Sequence, residues 1–406
     1  MYAHHEGEIR RRNIGLALDG NALAMHAFEP PAAHRQQTAW TRARHAISFL
    51  VENTMSDMGV EVRRAVPSRG KKAAPPILSH EFVIQNHGDI MSCILVVIAV
   101  GFFFSQTTPL SALFVLPQYN ETVALPTDAE PQTYYRAGRL DIPSIVFYSI
   151  VWITVHCLLQ EYVLDKVHRR LHMSKTRMSK FDESGQLAAF GFYSALHAGY
   201  LIYELAIYKD ITSLWVGYPD THRYMTFNVK YFFLLHIAYW LHQYPEFYFQ
   251  KVRNEEIAPR TIYITAYLVV SAAAYFTAFI RVGLLLLFIE GLLLAIFHTT
   301  RALYFSGKIT DTVTGFKPYN VAFPSLRFIS VVLTVLSFWY GFRTVEVPFI
   351  DVDATNFNTS LFRLNTLIVI LGLQVYSLWN YFVFHFSRFR ERNNNKARSS
   401  KAKKQK

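Results

Sequence analysis

Eight apolar runs of membrane-spanning scale occupy the chain between residues 90 and 386. They are Ile90–Gln106, extending toward Leu116, then Ile142–Leu164, Leu187–Tyr208, Phe227–Phe249, Ile262–Ile280, Val282–Phe297, Phe328–Phe342 and Leu361–Phe386. A hydrocarbon core of about 30 Å is crossed by roughly 20 mostly apolar residues in helical form. Open sheet is excluded in lipid, because its edges leave backbone groups unpaired. A barrel would need alternating segments of about 10 residues, and these runs are continuous and longer. Only 17% of the residues are charged, below the roughly 25% of a soluble domain. The expected fold is therefore an all-α polytopic membrane protein of about eight transmembrane helices. Arg281 alone separates the fifth run from the sixth, which predicts a tight helical hairpin there.

Orientation follows from Lys and Arg near the span ends. The segments 56–89, 166–186, 250–261 and 298–327, with the tail from His385, carry 27 of these residues; the intervening segments carry six. An even number of spans places both termini on the basic, cytosolic side. The sequons Asn120-Glu121-Thr122 and Asn358-Thr359-Ser360 both fall on the opposite side, making Asn120 and Asn358 expected glycosylation sites. Asn358 lies close to the eighth span. The net charge of +12 sits in the ends and connecting segments rather than on a regular helix face, so no sequence-specific nucleic-acid partner is expected. Cys93 and Cys157 lie in apolar runs and offer neither a disulfide framework nor a zinc motif.

The reading divides the chain into an Arg-rich extension without sustained period (residues 1–72), two spans with their loops (73–180), a six-helix region (181–388) and a disordered basic cytosolic tail (389–406). Polar groups at membrane depth are functional candidates by default. They are His156, Gln160 and Glu161 in the second span, Glu204 in the third, and His236, His242 and Glu246 in the fourth, followed by Arg281, Glu290 and His298. His156, Gln160, Glu161, His236, His242, Glu246 and Glu290 are expected to line an intramembrane polar cavity; the alternative is that they satisfy one another inside the bundle. Glu290 is the deepest acid and is expected to be neutral, or paired with Arg281 or a histidine. His236 and His242 are six residues apart and face different ways, so no metal ligand set, catalytic residue or cofactor is expected. Pro245 should kink the fourth span and open a polar notch beside His242 and Glu246.

Several strings are more specific than composition. Pro75-Pro76-Ile77-Leu78-Ser79-His80-Glu81-Phe82 precedes the first span, and Gln160-Glu161-Tyr162-Val163-Leu164-Asp165-Lys166 closes the second. Ser179-Lys180-Phe181-Asp182-Glu183-Ser184-Gly185-Gln186-Leu187 leads into the third. Ala238-Tyr239-Trp240-Leu241-His242 and Pro245-Glu246 lie in the fourth, before Tyr248-Phe249-Gln250-Lys251. Over roughly residues 73–392 the chain resembles the translocating chain-associated membrane protein family, whose glycosylated lumenal loop is matched by Gln118-Tyr119-Asn120. The resemblance implies a TLC-type helical bundle over about Phe181 to Arg388 and an endoplasmic reticulum location beside the Sec-type protein-conducting channel. It implies as partners that channel, nascent polypeptide signal sequences, membrane lipids and the ribosome. Residues 1–57 have no counterpart in the family, and Met55 or Met58 would give a start close to its short basic N-terminus.

Three functions remain in play. The first is a non-enzymatic translocation accessory that perturbs lipid beside the channel. The second is a lipid-binding or lipid-modifying protein like the ceramide synthases of the TLC group; the adjacent histidine pair of those enzymes occurs here only as His4-His5, outside the membrane region. The third is a small-molecule transporter using Glu161, Glu290 and the histidines.

Overall fold

A computed structural model describes residue 76 and residues 79–126, 128–308 and 315–404. The expectations for residues 1–72 lie outside that range. The larger of two compact units comprises Lys71–Val252 and Thr261–Ile370 and holds every site discussed below.

Helix α1 spans His80–Val100, ten residues ahead of the start expected from hydropathy. Ser79 begins it by accepting from the Phe82 amide at 3.2 Å, satisfying one otherwise orphaned donor. At Asn86 the backbone leaves helical geometry, and the Asn86 side chain donates to the Phe82 carbonyl at 2.8 Å. A short helix, α2 (Thr108–Val115), follows a break at 104–107. Strands β1 (Asn120–Val123) and β2 (Gln132–Tyr135) form an antiparallel hairpin with Asn120 opposite Tyr135.

Helix α3 (Asp141–Leu159) passes through a π turn at Gln160–Leu164 into α4 (Asp165–Leu171). Then come α5 (Lys175–Glu204), α6 (Phe227–Phe249), α7 (Asn254–Phe276) and α8 (Ile280–Phe305). Helix α9 (Lys317–Val335) ends in a π turn, and α10 (Ser360–Lys404) closes the chain. The turn between α7 and α8 is three residues with Ala278 left-handed, so two full-length helices form the expected hairpin and Arg281 lies inside α8.

Among the described residues, six helices are long and apolar enough to cross a membrane: His80–Phe103, Asp141–Leu171, Asn254–Phe276, Ile280–Phe305, Lys317–Val345 and Ser360–Arg390. Helices α5 and α6, the expected third and fourth spans, are also long but fall short on hydropathy. Lys175, Arg177, Lys180, Asp182 and Glu183 lie in the opening turns of α5. Helix α6 carries Lys230, His236, His242 and Glu246, all buried within protein rather than facing lipid.

Helix–helix packing in a bilayer depends on close backbone approach. Gly191 of α5 lies against the Ala295 backbone of α8, where an added Cβ would sit 2.5 Å from the Ala295 nitrogen. Gly291 of α8 reciprocates, with the Ala195 nitrogen 2.9 Å from a Cβ placed there. Any larger side chain at either glycine would push these helices apart.

The loops that carry few basic residues meet at one end of the unit. Arg136 donates to the Asp353 carbonyl at 3.0 Å, Tyr218 to the Thr277 carbonyl at 2.9 Å and Arg281 to the Ser213 carbonyl at 2.8 Å. At the other end Lys251 pairs with Glu81 at 3.0 Å and Arg301 with Glu183 at 3.4 Å. His168, buried, bonds closely to Asp182 and lies 3.6 Å from Asp165, tying α4 to α5.

In the second unit, which includes Arg253–Arg260 and Leu371–Lys406, Glu256 bridges Arg253 at 2.5 Å and Arg260 at 2.9 Å. The residues from 389, expected to be a disordered tail, continue α10 as far as Lys404. No proline or glycine interrupts residues 373–404, and their Ala, Arg and Lys are good helix formers.

Candidate functional site

The seven residues expected to line one polar cavity do not converge. Glu161, in the π turn at Gln160–Leu164, is exposed. Gln160 donates to Asp165 at 2.8 Å and so serves the junction with α4. His236 is buried between the rings of Phe190, at 5.2 Å, and Phe232, at 5.4 Å, and neither of its ring nitrogens has a hydrogen-bond partner among the described residues. Glu204 accepts from Thr226 and Asn228 at the end of α5.

Three separate buried polar centres result. The first joins α3 to α6. Asp141, at the start of α3, faces Lys230 at 2.7 Å, and both side chains are wholly buried. The Lys230 ammonium also donates to the Gln118 and Arg136 carbonyls, each at 2.7 Å, and Tyr275 donates to Asp141 at 2.8 Å. This centre anchors both approaches of the β-hairpin to the bundle.

The second joins α7, α8 and α9. Arg327 holds Glu290 through two close contacts, one at 2.8 Å, and Tyr267 donates to the same carboxylate at 3.1 Å. The partner of Glu290 is thus Arg327 and neither Arg281 nor a histidine. Arg327 sits mid-helix because α9 starts at Lys317, eleven residues before the apolar run that marked its span. His298, buried near Arg301, takes no part in either centre.

The third lies toward the C-terminal ends of α3 and α6, beside the basic loops. His156, His242 and Glu246 offer one ligand atom each, all within 4.8 Å of one another. His156 Nε2 is 3.9 Å from Glu246 Oε2, and the two histidine rings lie 6.1 Å apart. Gln250 donates to Glu246 at 2.9 Å and approaches His156 Nε2 at 3.3 Å. His242 Nδ1 bonds closely to the Tyr239 carbonyl. A carbonyl only accepts, so that nitrogen carries the proton and Nε2 keeps its lone pair. Trp152 stacks near His242 and donates to the Leu235 carbonyl at 2.9 Å, closing the site on one side. Helix α6 continues through Pro245 to Phe249.

Sequence reasoning missed Lys230, Asp141 and Arg327 because each stands at the edge of an apolar run, where a charge reads as a loop residue. It named His242 and Glu246 together beside Pro245 but did not join them to His156 of α3, because for a shared ion it compared His242 only with His236. The four-residue spacing of His242 and Glu246, which puts both on one helix face, was the available signal.

The two sequons are placed very differently. Asn120 is exposed on β1. Asn358 is wholly buried, and its Nδ2 donates to the Phe342 carbonyl at 2.6 Å and the Val345 carbonyl at 2.9 Å. Both amide protons are spent on a turn, so the side chain serves the fold and is not presented for modification.

The model of the TLC domain matches residues 180–383. Translocating chain-associated membrane protein 2 of Homo sapiens is 38% identical over 323 residues, covering 80% of this chain and 86% of that protein. The Mus musculus protein of the same name is 36% identical over the same lengths. A sphingosine N-acyltransferase-like protein of Alternaria alternata is 25% identical over 174 residues, 43% of this chain and 39% of that protein. The chain is a multi-pass membrane protein belonging to the translocating chain-associated membrane protein family of TLC-domain proteins.

Proposed function

We propose that this protein is an accessory of the protein-conducting channel in the endoplasmic reticulum membrane. There it contacts nascent secretory and membrane chains and eases entry of weakly apolar signal sequences. The observation that carries the reading is similarity over 80% of the chain to relatives named for association with translocating chains. Eight passes with both termini cytosolic fit the gathering of the poorly basic loops at one end of the larger unit. Asn120, exposed there, is the proposed glycan acceptor; buried Asn358 is not.

Most interior polar groups lie inside the protein away from lipid, so lipid perturbation is assigned to α1 instead. An open groove of about 540 Å³ runs along α1, lined by Phe82, Asn86, Asp89, Ile90, Cys93 and Val97 among others. Asn86 and Asp89 lie in the turn just ahead of Ile90, where the apolar run of this helix begins. A carboxylate and an amide at that boundary hold water and headgroups against α1, because moving them into hydrocarbon is costly. Thinned lipid lowers the barrier for a short apolar segment to enter.

Proteoliposomes containing the channel, with and without this protein, test the reading. Stalled chains with short apolar signal cores should crosslink to it and depend on it most. Equal dependence for long and short cores would overturn it.

A lipid-modifying role is the second reading, favoured by the similarity to the sphingosine N-acyltransferase-like protein. The matched TLC segment contains no adjacent histidine pair. Acyl transfer from acyl-CoA to a sphingoid base by the purified protein would establish this reading, and its absence would leave the accessory role.

A further inference from the structure

We propose that His156, His242 and Glu246 form a binding site for one divalent transition-metal ion, with Zn²⁺ as the best fit. The donor set is two imidazoles and one carboxylate, the composition of three-ligand zinc sites that keep a fourth position open. Soft thiolate ligands are missing from the triad and only one carboxylate is present, which disfavours both copper(I) and hard ions such as Mg²⁺ or Ca²⁺.

Geometry supports the assignment from both helices. His242 and Glu246 are one turn apart on α6 and point the same way, and His156 reaches across from α3. Zinc bonds of about 2.0–2.2 Å in a tetrahedron place ligand atoms roughly 3.4 Å apart. The observed 3.9 Å between His156 and Glu246, with all three ligand atoms inside 4.8 Å, needs side-chain adjustments of an ångström or so. His242 has the tautomer seen at metal sites, since its Nδ1–H is fixed on the Tyr239 carbonyl, and Nε2, now approached by the Gln243 amide at 3.5 Å, would turn to the metal.

Charge supplies an independent argument. Glu246 is 2% exposed, and its Oε1 has no hydrogen-bond partner among the described residues. Asp141, buried, and Glu290, partly buried, each face a permanent cation, Lys230 and Arg327 respectively. Among the described residues, Glu246 has only His156 within ion-pair distance. A bound dication would supply the positive charge that the neighbouring side chains do not. Gln250, which touches both His156 and Glu246, would then pass to the outer shell as a donor to the carboxylate. Bound metal would also staple α3 to α6 at the end facing the basic loops.

The test uses the full chain, purified in detergent through a tag without histidines. After equilibration with Zn²⁺ and gel filtration, elemental analysis should find one zinc per chain. Co²⁺ should give the visible bands of a low-coordinate site with nitrogen ligands. Glu246→Gln keeps the side-chain volume and should weaken zinc binding by roughly 100-fold or more, as should His156→Gln. His172→Asn, which removes a histidine outside the triad, should leave the stoichiometry at one. Zinc should raise the thermal midpoint of the wild-type chain, a readout that needs no variant, and should not raise that of Glu246→Gln. Zinc retained equally by Glu246→Gln and His156→Gln would overturn the proposal. So would a wild-type stoichiometry near zero, or equal stabilisation by Mg²⁺.

Discussion

Replacing Lys230 with methionine should be among the most damaging single substitutions in this protein. The ammonium has three protons and three partners, Asp141, the Gln118 carbonyl and the Arg136 carbonyl, each at 2.7 Å. Methionine fills much of the same space but donates to none of them. It leaves a fully buried carboxylate supported by Tyr275 and the Gly138 amide alone. Breaking one member of a buried ion pair costs about 3–5 kcal/mol, because the remaining charge is stranded. At 1.4 kcal/mol per tenfold, that is a change of roughly 100-fold to 3,000-fold in the folding equilibrium. Pairing Lys230→Met with Asp141→Leu removes both charges, and the double variant should recover at least about 2 kcal/mol relative to the sum of the singles. Reversible unfolding in mixed detergent micelles, followed by tryptophan fluorescence, measures all four corners of the cycle. Lys230→Met within about 0.5 kcal/mol of wild type, or strictly additive singles, would refute the argument that this pair is a desolvated fastener.

Asn120→Gln should abolish the glycosidase-sensitive mobility shift of protein made in microsomes, whereas Asn358→Gln should retain the shift and lower stability by about 1–3 kcal/mol through the two carbonyls it leaves unpaired. Gly291→Leu should destabilise the α5–α8 contact by about 1–3 kcal/mol or more, read as a lower thermal midpoint, since the added side chain meets the Ala195 backbone. A pH effect should come from His222, in the loop before α6, which donates from Nε2 to the Val216 carbonyl and is pushed down to about 3 by burial and then by the charge of Arg281. Its folded value lies below the unfolded 6.5, so its stability contribution is complete above that pH and is lost as pH falls toward 3. Between pH 7 and pH 5 the loss should be about 2 kcal/mol, and His222→Gln should remove that slope from a pH series of unfolding curves.

Much of the architecture was legible because lipid leaves few choices. Continuous apolar runs fixed the class, and the turn at Thr277–Phe279 falls where Arg281 interrupted the pattern. Helix starts were less legible, and the reason is the same at α1 and α9. Hydropathy marks where lipid begins, while Ser79 and Lys317 mark where backbone hydrogen bonding begins, and these differ by ten or eleven residues. The candidate site was legible in its members and illegible in its grouping. His156, His242 and Glu246 were all identifiable as polar residues at depth, but Gln160 serves the junction with α4 and Glu161 is exposed. Which face of α3 meets α6 is decided by packing between helices, which spacing within one helix does not encode.

The three buried centres differ in a way that bears on function. Lipid tails provide no hydrophobic force between helices, so a membrane bundle relies on close packing and on polar contacts between helices. Asp141 with Lys230 and Glu290 with Arg327 are complete in charge and bonded to tyrosines, and each reads as a permanent fastener. The His156–His242–Glu246 centre is composed of groups that can change protonation or accept an ion, and it joins α3 to α6 next to the loops that face the basic side. Helices α3 and α6 are held firmly by Asp141 and Lys230 at one end and adjustably by His156, His242 and Glu246 at the other. Rigidity should therefore differ along the bundle. Hydrogen exchange measured with and without Zn²⁺ should show added protection confined to the C-terminal turns of α3 and α6. Uniform protection along both helices would refute this division of the bundle.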